Sequence, residues 1–314
     1  MRKALLLYNP RSGRRRGRRV ADVEAAAKVL RSAKVEVLVA ATRGPSDATE
    51  QVKHAIGEGF DTIFACGGDG TVHDALQGLV GTEAALGIIP LGTANSLAHD
   101  LGSPLSPAGA AQAFLRGKPR KVAVGHVEYL DLNGQPSSRY FALIVGIGAD
   151  AHLFYKLNPL AKRHLGMMAY YVKATRLWLT HPMEHFKVEI GDNDGMDHVD
   201  VSQLLAVRIR DFGGILRELA PGASIDRNDL RLVLFQTRSR ISYLRYITRG
   251  LLGTQWKVPG IELRHSVGAN CETLLAASGN GKRRILIEAD GELIGTLPAK
   301  ISVVPDALTI LMPQ

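Results

Sequence analysis

TIFACGGDGT, residues 62–71, joins a short apolar run to a glycine turn, and the segment after it, VHDALQGLV, has helical spacing. A buried strand that ends in a glycine turn at the start of a helix forms a β-α unit of a parallel sheet. The N–H groups at a helix start attract anions, and glycines let a phosphate approach the backbone. The stretch therefore predicts a phosphate site. The alternative is a tight turn in which Asp69 only caps the helix.

The same alternation of strand and helix occurs on both sides of this unit. Strand patterns lie at residues 4–10 (ALLLYNP), at Lys34–Thr42 and at Leu86–Ile89, and helical patterns lie at residues 20–33 and at Ser46–Gly57. Such alternation is typical of a parallel sheet covered by helices, with ligands beyond the carboxyl ends of the strands. We therefore predict an α/β class fold that begins with a Rossmann-like nucleotide-binding domain over residues 1–121.

The second half of the chain has a different sequence pattern, with short strands in place of the strand–helix alternation. From Val122 onward, short strands are separated by Gly, Asn and Pro turns, and RYFALIVG (residues 139–146) is one of these strands. Two helical patterns interrupt them, at Pro159–Thr180 and at Ile241–Leu252. This pattern predicts a β-rich domain over residues 122–314, a β-sandwich with helical insertions.

The composition is that of an ordinary globular protein. Of 314 residues, 46% are hydrophobic and 22% are charged, which disfavours disordered, collagen-like and coiled-coil classes. No apolar stretch approaches the ~20 residues of a spanning helix, and the N-terminal apolar run is too short for a secretory signal. Cys66 and Cys271 lack metal or disulfide spacing, and the histidines form no zinc pattern. We expect a cytoplasmic protein with two buried thiols.

The net charge of +9 is concentrated at one end of the chain. The first twenty residues contain eight basic side chains and no acid, including Arg14, Arg15, Arg16 and Arg19. A solvated helix start, attraction of a phosphate and contact with anionic lipid all remain open as explanations. No aromatic residues that could stack on bases are interleaved with these arginines, so we predict no nucleic-acid partner.

Two further polar glycine turns follow strands in the same way as the first. They are NPRSG at Asn9–Gly13 and PLGTANS at Pro90–Ser96, and equivalent strand ends are expected to face one ligand. Neither a P-loop nor a dinucleotide fingerprint is present. Asp69 would repel a bare phosphate, so its position makes sense mainly if Mg²⁺ lies between them. The sequence therefore predicts a nucleotide with Mg²⁺, and Asp69 as its protein carboxylate.

These motifs resemble the diacylglycerol kinase catalytic-domain superfamily, which includes bacterial lipid kinases and sphingosine kinases. The resemblance covers essentially the whole chain through NPxSG at Asn9, GGDGT at Gly67, PxGTxN at Pro90, GxGxDA at Gly146 and DGE at Asp290. It implies an ATP-binding α/β domain, a β-sandwich lipid domain, and a nucleotide held between them. The nucleotide contacts predicted in this way are Asn9, Pro10, Ser12, Gly13, Thr42, Gly67, Gly68, Asp69, Gly70, Thr71, Gly92, Thr93 and Asn95.

The DGE turn provides a candidate catalytic base. Asp290, Gly291 and Glu292 follow the strand ILIEA, where a carboxylate can be presented into a cleft. Phosphoryl transfer needs a carboxylate that accepts the proton of the attacking hydroxyl. We predict Glu292 and Asp69 as the catalytic residues, and the resemblance implies the same role for Glu292. Asp290 is expected to support the turn, and an exposed hairpin acid is the alternative for Glu292.

The sequence departs from the family pattern at three positions that bear on metal binding. Ser96 and Ala123 stand at positions where many members have Asp. The turn Asp226–Arg231 corresponds to one that holds a structural magnesium in some bacterial members, and Arg227 replaces a candidate ligand in it. Sphingosine-kinase-like members also lack the first of these acids. The changes therefore indicate either a subgroup or weakened activity, and the structural magnesium site is doubtful.

Two basic amphipathic segments are candidates for contact with a bilayer. Residues 154–178 combine aromatic and basic side chains at helical spacing, and Ile241–Leu252 places Arg245 and Arg249 one helical turn apart. Ordinary core packing with snorkelling basic side chains is the alternative for both. A lipid substrate would bring the enzyme to the membrane surface in either case.

These observations together predict a cytoplasmic, peripherally membrane-associated lipid kinase. It would transfer the γ-phosphate of ATP to a primary hydroxyl of a diacylglycerol or a sphingoid long-chain base, with Mg²⁺. The alternatives are an NAD-kinase-like enzyme with a soluble substrate, and a catalytically weak nucleotide- or lipid-binding regulator. The oligomeric state is left open.

Overall fold

The computed structural model describes residues 1–10, 16–148, 183–192, 195–213, 218–254, 256–274 and 284–314. The described helices are α1 Arg19–Ser32, which follows a 3-10 turn at Arg16–Arg18, α2 Pro45–Gly57, α3 Asp69–Leu79, α4 Ser96–Asp100, α5 Pro107–Arg116 and α6 Arg240–Leu252. The described strands are β1 Lys3–Tyr8, β2 Glu36–Ala41, β3 Thr62–Gly67, β4 Ala85–Pro90, β5 Lys118–Leu130, β6 Pro136–Phe141, β7 Ile144–Gly148, β8 Phe186–Asp192, β9 Gly195–Val201, β10 Gln203–Val207, β11 Leu230–Phe235, β12 Ile261–Ser266, β13 Gly268–Thr273, β14 Leu286–Ala289 and β15 Glu292–Met312.

The first four strands form the predicted parallel sheet in the order β2-β1-β3-β4. β3 and β4 are buried along their whole length because helices cover the sheet, and this explains their continuous apolar sequences. The register places Tyr8 beside Ala41 and Cys66, and Cys66 beside Ile89. The four strands therefore end at one edge, as the α/β prediction requires.

The second half is β-rich, as predicted, and its strands have buried residues on both faces. In β10, Leu204 packs into a core shared by the strands of the second half, whereas its neighbour Leu205 packs into the core that includes the α/β sheet. β11 alternates in the same way, with Leu232 in the first of these cores and Val233 in the second. Successive side chains on a strand point to opposite faces, so this part of the sheet separates two hydrophobic cores.

β15 connects the two halves of the molecule. Its first residues pair with β14, its middle pairs with β13, most of its length pairs with β5, and Thr309 pairs in parallel with Ala85 of β4. The described strands thus belong to one continuous sheet of 15 strands. β5 runs through position 121 without a break, and the predicted domain boundary there stays a prediction. The start of β15, which carries Glu292, therefore belongs to the same sheet as the strands that end in the glycine turns.

The prediction of a single strand over residues 139–146 is wrong. β6 ends at Phe141 and β7 begins at Ile144, because the backbone N–H groups of Ala142 and Leu143 donate to the side chain of Asp290 instead of to a neighbouring strand. The continuous apolar run of residues 140–145 extends across this interruption, so the sequence alone does not reveal it.

The two predicted helical insertions have different outcomes. The one at Ile241–Leu252 is confirmed as α6, and the one at Pro159–Thr180 lies outside the described residues. α5 was not among the sequence predictions; Pro107 at its first position and the Ser106 hydroxyl, which accepts a bond from the Gly109 N–H, mark its start. Within the described ranges, no helix has the length and apolar character needed to cross a membrane.

Candidate active site

The GGDG loop lies between β3 and α3, where the sequence predicted it. Gly67 is the last residue of β3, Gly68 precedes the helix, and Asp69, Gly70 and Thr71 form its first turn. A Cβ atom at Gly67 would lie 2.1 Å from the Thr71 hydroxyl oxygen, so the threonine occupies the space that a side chain would need. The turn therefore directs the N-terminal end of α3 toward the carboxyl edge of the sheet, where an anion is favoured.

A second loop, residues 91–95, lies against the first. A Cβ atom at Gly92 would come within 2.3 Å of Gly68 Cα, so only glycine allows the two backbones to touch. The Asn95 side-chain oxygen accepts a hydrogen bond from the Gly92 N–H (2.8 Å), and Asn95 itself has a left-handed backbone with φ 54°. Asn95 therefore stabilises the conformation of this loop, and its contact with a nucleotide stays a prediction.

Asp69 connects the two loops through its carboxylate. Its Oδ1 accepts a hydrogen bond from the Ser96 N–H at 2.7 Å, at the start of α4. Burial raises the pKa of Asp69 above its ordinary value, although the N–H donors of Ser96 and Leu97 act in the opposite direction. Asp69 therefore caps the start of a helix, but this helix is α4. The alternative considered from the sequence was a cap on α3, the helix to which Asp69 belongs. Ser96 contributes its backbone at this point.

The other predicted nucleotide contacts lie along the same sheet edge. Asn9 follows β1, and Thr42 follows β2 with its N–H donating to the Tyr8 carbonyl at 2.8 Å. Pro10 is exposed beside Asn9, whereas Ser12 and Gly13 lie outside the described residues. The register of the parallel strands thus brings Asn9 and Thr42 to the edge that carries the two glycine loops.

A groove of about 350 Å³ opens beside the second loop. Gly92, Thr93 and Asn95 line it on one side, and Arg19 and Asp22 of α1 line it on the other. A carboxylate such as Asp22 accepts bonds from hydroxyl or amino groups and disfavours a phosphate. The groove is therefore suited to the sugar or base of a nucleotide whose phosphates lie at the glycine loops. The sequence did not predict Asp22 as a site residue, because nothing in its local pattern marks it.

The basic N-terminal segment does not form one patch among the described residues. Arg2 and Lys3 lie at the start of β1, at the opposite end of this strand from the loops, near Asp61 and Glu36. Arg19 is buried, and its Nη1 donates to the Leu91 carbonyl at 2.6 Å. Burial lowers the pKa of Arg19. This arginine therefore holds the second loop in place and is not a solvated charge.

Glu292 reaches the phosphate loop from the second half of the chain. It is the exposed first residue of β15, and a Cβ atom at Gly70 would lie 3.0 Å from its Oε1. The carboxylate therefore lies over the first turn of α3, where the glycine leaves room for it. This is the arrangement expected of a base that acts on a hydroxyl near a bound phosphate.

Asp290 positions the turn that carries Glu292. Its buried carboxylate accepts hydrogen bonds from the N–H groups of Ala142, Leu143 and Ile144 at 2.9–3.0 Å, and its Oδ2 lies 3.1 Å from Nδ1 of His73 in α3. Asp290 has a left-handed backbone with φ 49°, which Asp tolerates better than most residues. The sequence prediction that Asp290 supports the turn agrees with these contacts.

His73 and Asp74 complete the site and were missed in the sequence. Burial alone would lower the pKa of His73, but the hydrogen bond and charge of Asp290 outweigh it and raise that pKa. Burial and the nearby charge of Glu292 raise the pKa of Asp74 to about 6. The helical spacing offered a signal, because residues 73 and 74 lie four positions after Asp69 and Gly70, on the same side of α3.

Two arginines lie at the turn where the sequence makes a structural magnesium site doubtful. Arg208 is buried, and its Nη1 and Nη2 donate to the carbonyls of Ala123, Ile225, Arg227 and Asp229 at 2.5–3.2 Å. The Arg227 Nε donates to Asp229 Oδ1 at 2.7 Å. Guanidinium groups therefore supply positive charge at this turn. The Ala123 side chain is buried, and only its carbonyl takes part.

The donor set suits a magnesium ion that is carried mainly by a nucleotide. In the described part of the chain, no three His, Cys, Asp or Glu side chains converge to hold a metal alone. Mg²⁺ commonly binds through one or two carboxylates together with substrate phosphates and water. Asp69, beside the glycine loops, fits that pattern, and a cation there would offset the burial of its carboxylate.

Family models match both halves of the chain. Residues 3–127 match the diacylglycerol kinase catalytic domain, and residues 143–312 match the YegS C-terminal NAD kinase beta sandwich-like domain. A diacylglycerol kinase of Mycobacterium tuberculosis is 30% identical over 316 residues, which are 99% of this chain and 96% of that protein. A diacylglycerol kinase of Bacillus subtilis is 28% identical over 317 residues, which are 100% of this chain and 97% of that protein.

Solved structures share the fold. The crystal structure of a diacylglycerol kinase from Bacillus anthracis matches with a TM-score of 0.69 at 20% identity, over 99% of this chain and 96% of that one. A yeast NADH kinase complexed with NADH matches with a TM-score of 0.56 at 12% identity, over 100% of this chain and 84% of that one. With the matched domains and the full-length relatives, this arrangement of loops and carboxylates shows that the chain belongs to the diacylglycerol kinase family, whose members are nucleotide-using kinases.

Proposed function

We propose that this chain is an ATP-dependent lipid kinase. It transfers the γ-phosphate of ATP to a primary hydroxyl of a diacylglycerol or a sphingoid long-chain base, in the cleft between the two halves of the chain. The observation that carries the proposal is the position of Glu292 over Gly70. A carboxylate from the β-rich half then meets the phosphate loop of the α/β half, as transfer between a nucleotide and a second substrate requires.

The nucleotide side of the reaction uses main-chain groups. The N-terminal turn of α3 and the loop at Gly92–Asn95 hold the phosphates, and the groove beside Thr93 holds the rest of the nucleotide. Asp69 would bind Mg²⁺, which neutralises the charge that develops on the transferred phosphoryl group. Arg19 keeps the second loop in position through the Leu91 carbonyl.

The acceptor side depends on Glu292. Its carboxylate takes the proton of the lipid hydroxyl as the hydroxyl oxygen bonds to the γ-phosphorus and the bond from that phosphorus to the departing ADP oxygen breaks. The exposure of Glu292 leaves it accessible to a second substrate. The β-rich half would hold the acyl chain, and the enzyme would act at the cytoplasmic membrane surface as a peripheral protein.

The decisive experiment is transfer of labelled γ-phosphate from MgATP to a panel of acceptors in mixed micelles. The panel contains diacylglycerol, monoacylglycerol, sphinganine, sphingosine and ceramide, with NAD⁺ and NADH as soluble acceptors. Glu292→Gln should reduce turnover by about a thousandfold. Glu83→Gln, which changes an exposed glutamate outside the site, is the matched control and should keep full turnover.

Each result of this assay has a defined meaning. A lipid product that is lost with Glu292→Gln supports the proposal and identifies the substrate class. Phosphorylation of NAD⁺ or NADH, with no lipid phosphorylated, would replace the proposed lipid kinase activity by an NAD-kinase-like function. ATP binding without turnover on any acceptor would favour a nucleotide- or lipid-binding regulator, and a lipid product unaffected by Glu292→Gln would remove Glu292 as the base.

A further inference from the structure

Helix α6 is fixed to the β-rich half by its inner face. Tyr243 stacks on Phe235 with ring centroids 4.5 Å apart, and Tyr246 meets the same ring edge-on at 5.3 Å. The Tyr246 hydroxyl donates to the Leu219 carbonyl at 2.6 Å, and the Tyr243 hydroxyl lies 2.8 Å from Ser202 Oγ. The aromatic face therefore anchors the helix, and the opposite face is directed outward.

The outward face is apolar. Five aliphatic side chains on it are between 40% and 64% exposed, and Trp256 just beyond the helix is 42% exposed. We call the five aliphatic residues the outer stripe: Ile241, Leu244, Ile247, Leu251 and Leu252. Trp256 follows the helix and lines a cavity with Tyr246 and Arg249. An ordinary surface helix places polar residues where this one has aliphatic ones. Clustered exposed apolar residues of this kind mark contact with a partner or a membrane.

The charge around the outer stripe identifies the partner. The segment from residue 236 to residue 262 contains five basic residues and one acid, Glu262, whose carboxylate accepts hydrogen bonds from Gln236 and Arg264. Arg238, Arg245 and Lys257 are exposed at the stripe. A basic helix with aliphatic residues and a tryptophan suits the interface of an anionic bilayer. A second copy of the chain fits less well, because face-to-face stripes would bring like charges together.

We propose that the outer stripe of α6 is the surface by which this chain docks on anionic phospholipid bilayers. The aliphatic side chains enter the boundary between headgroups and acyl chains, Trp256 lies at the headgroup level, and Arg238, Arg245 and Lys257 contact lipid phosphates. The proposal rests on the proposed function, since a lipid substrate brings the enzyme to a membrane, but docking itself needs no phosphoryl transfer.

Sedimentation with vesicles tests the docking, using the full chain without ATP or diacylglycerol. Wild-type protein should bind vesicles of phosphatidylglycerol and phosphatidylcholine at least about tenfold more tightly than vesicles of phosphatidylcholine alone. The double variant Leu244→Gln/Leu251→Gln should lose about tenfold or more of its binding, and Arg245→Gln about fivefold. Val267→Gln is the control, because Val267 is a still more exposed aliphatic residue (67%) that lies on the β12–β13 turn.

Two further measurements separate the possible failures. Turnover on detergent-dispersed short-chain diacylglycerol should be unchanged in the double variant. Stripe-dependent vesicle binding by a protein that phosphorylates no lipid would support the docking surface and overturn the proposed function. Lipid phosphorylation with vesicle binding that is the same in the wild type and the double variant would overturn the docking surface. A mass of two chains in light scattering that falls to one in the double variant would also overturn it, because a second copy would then cover the stripe.

Discussion

Replacement of Asp290 by asparagine tests how the base-bearing turn is held. The Asp290 side chain is 2% exposed and accepts bonds from three backbone N–H groups and from His73. Each carboxylate oxygen faces two donors. Asparagine keeps one oxygen. If that oxygen faces Leu143 and Ile144, the bond from the Ala142 N–H is lost, but the NH₂ group can donate to Nδ1 of the neutral His73 tautomer that carries no proton there. In the other orientation the bonds from Leu143 and Ile144 are both lost.

The size of the effect follows from these contacts. A hydrogen bond to a buried charged group contributes about 1.5–3 kcal/mol, so the loss of one or two bonds should cost about 1.5–6 kcal/mol of the free energy of unfolding. For a chain of 314 residues the entropy of unfolding is about 0.66 kcal/mol per degree. Asp290→Asn should therefore lower the Tm by about 2–9 °C, and turnover should fall because Glu292 is no longer held over Gly70.

Thermal unfolding followed by circular dichroism measures this shift. Asp131→Asn is the matched control, because Asp131 accepts two backbone N–H bonds in an exposed turn where water can replace them. The control should shift the Tm by less than about 1 °C. A shift for Asp290→Asn below about 2 °C, or no larger than that of the control, would refute the assignment of Asp290 as the support of the turn.

Three other substitutions test the loops, the site charges and the 225–229 turn. Gly92→Ala places a Cβ atom against Gly68 Cα and should weaken binding of a fluorescent ATP analogue by about tenfold or more. Asp74→Asn should stabilise the protein by about 1 kcal/mol at pH 7.5 and not at pH 4. The raised pKa of Asp74 means that the folded state binds more protons than the unfolded state between pH 3.8 and about 6, so wild-type stability falls as pH rises through that window. Arg208→Lys should cost about 2–3 kcal/mol in urea unfolding, because one ammonium nitrogen cannot reach carbonyls on both sides of a guanidinium.

One control variant and two contradicting outcomes test these predictions. Gly57→Ala places its Cβ atom in open space and should leave nucleotide binding unchanged. Equal effects of Asp74→Asn at both pH values would contradict the assigned pKa direction. Wild-type stability in Arg208→Lys would mean that the four carbonyls do not depend on the guanidinium.

The phosphate loops could be predicted from the sequence because their determinants are local. A buried strand, a glycine turn and the first helical turn occupy ten consecutive residues, and the structure confirms the strand at Thr62–Gly67 and a helix from Asp69. Parallel strands end at one edge of a sheet, so the convergence of Asn9, Thr42 and Gly67 also followed from chain order. Their contacts with a nucleotide stay predictions.

The interruption between β6 and β7 could not be predicted in this way. Residues 140–145 form a continuous apolar run like that of a buried strand, but the N–H groups of Ala142 and Leu143 bond to Asp290, which is 148 and 147 residues away in sequence. No short window contains both partners. The burial of Arg19 was hidden for the same reason, since its acceptor is the carbonyl of Leu91, 72 residues further along the chain.

The sequence by itself determined the class of the fold, the phosphate loops, and Asp69 and Glu292 as the acids to examine. Only the tertiary structure decided that Glu292 lies over Gly70, that His73 and Asp290 join the two halves, and that α6 leaves an aliphatic face uncovered. The physical reason is that periodicity and turn chemistry act over a few residues, whereas these features depend on elements that are distant in the chain, as His73 and Asp290 are.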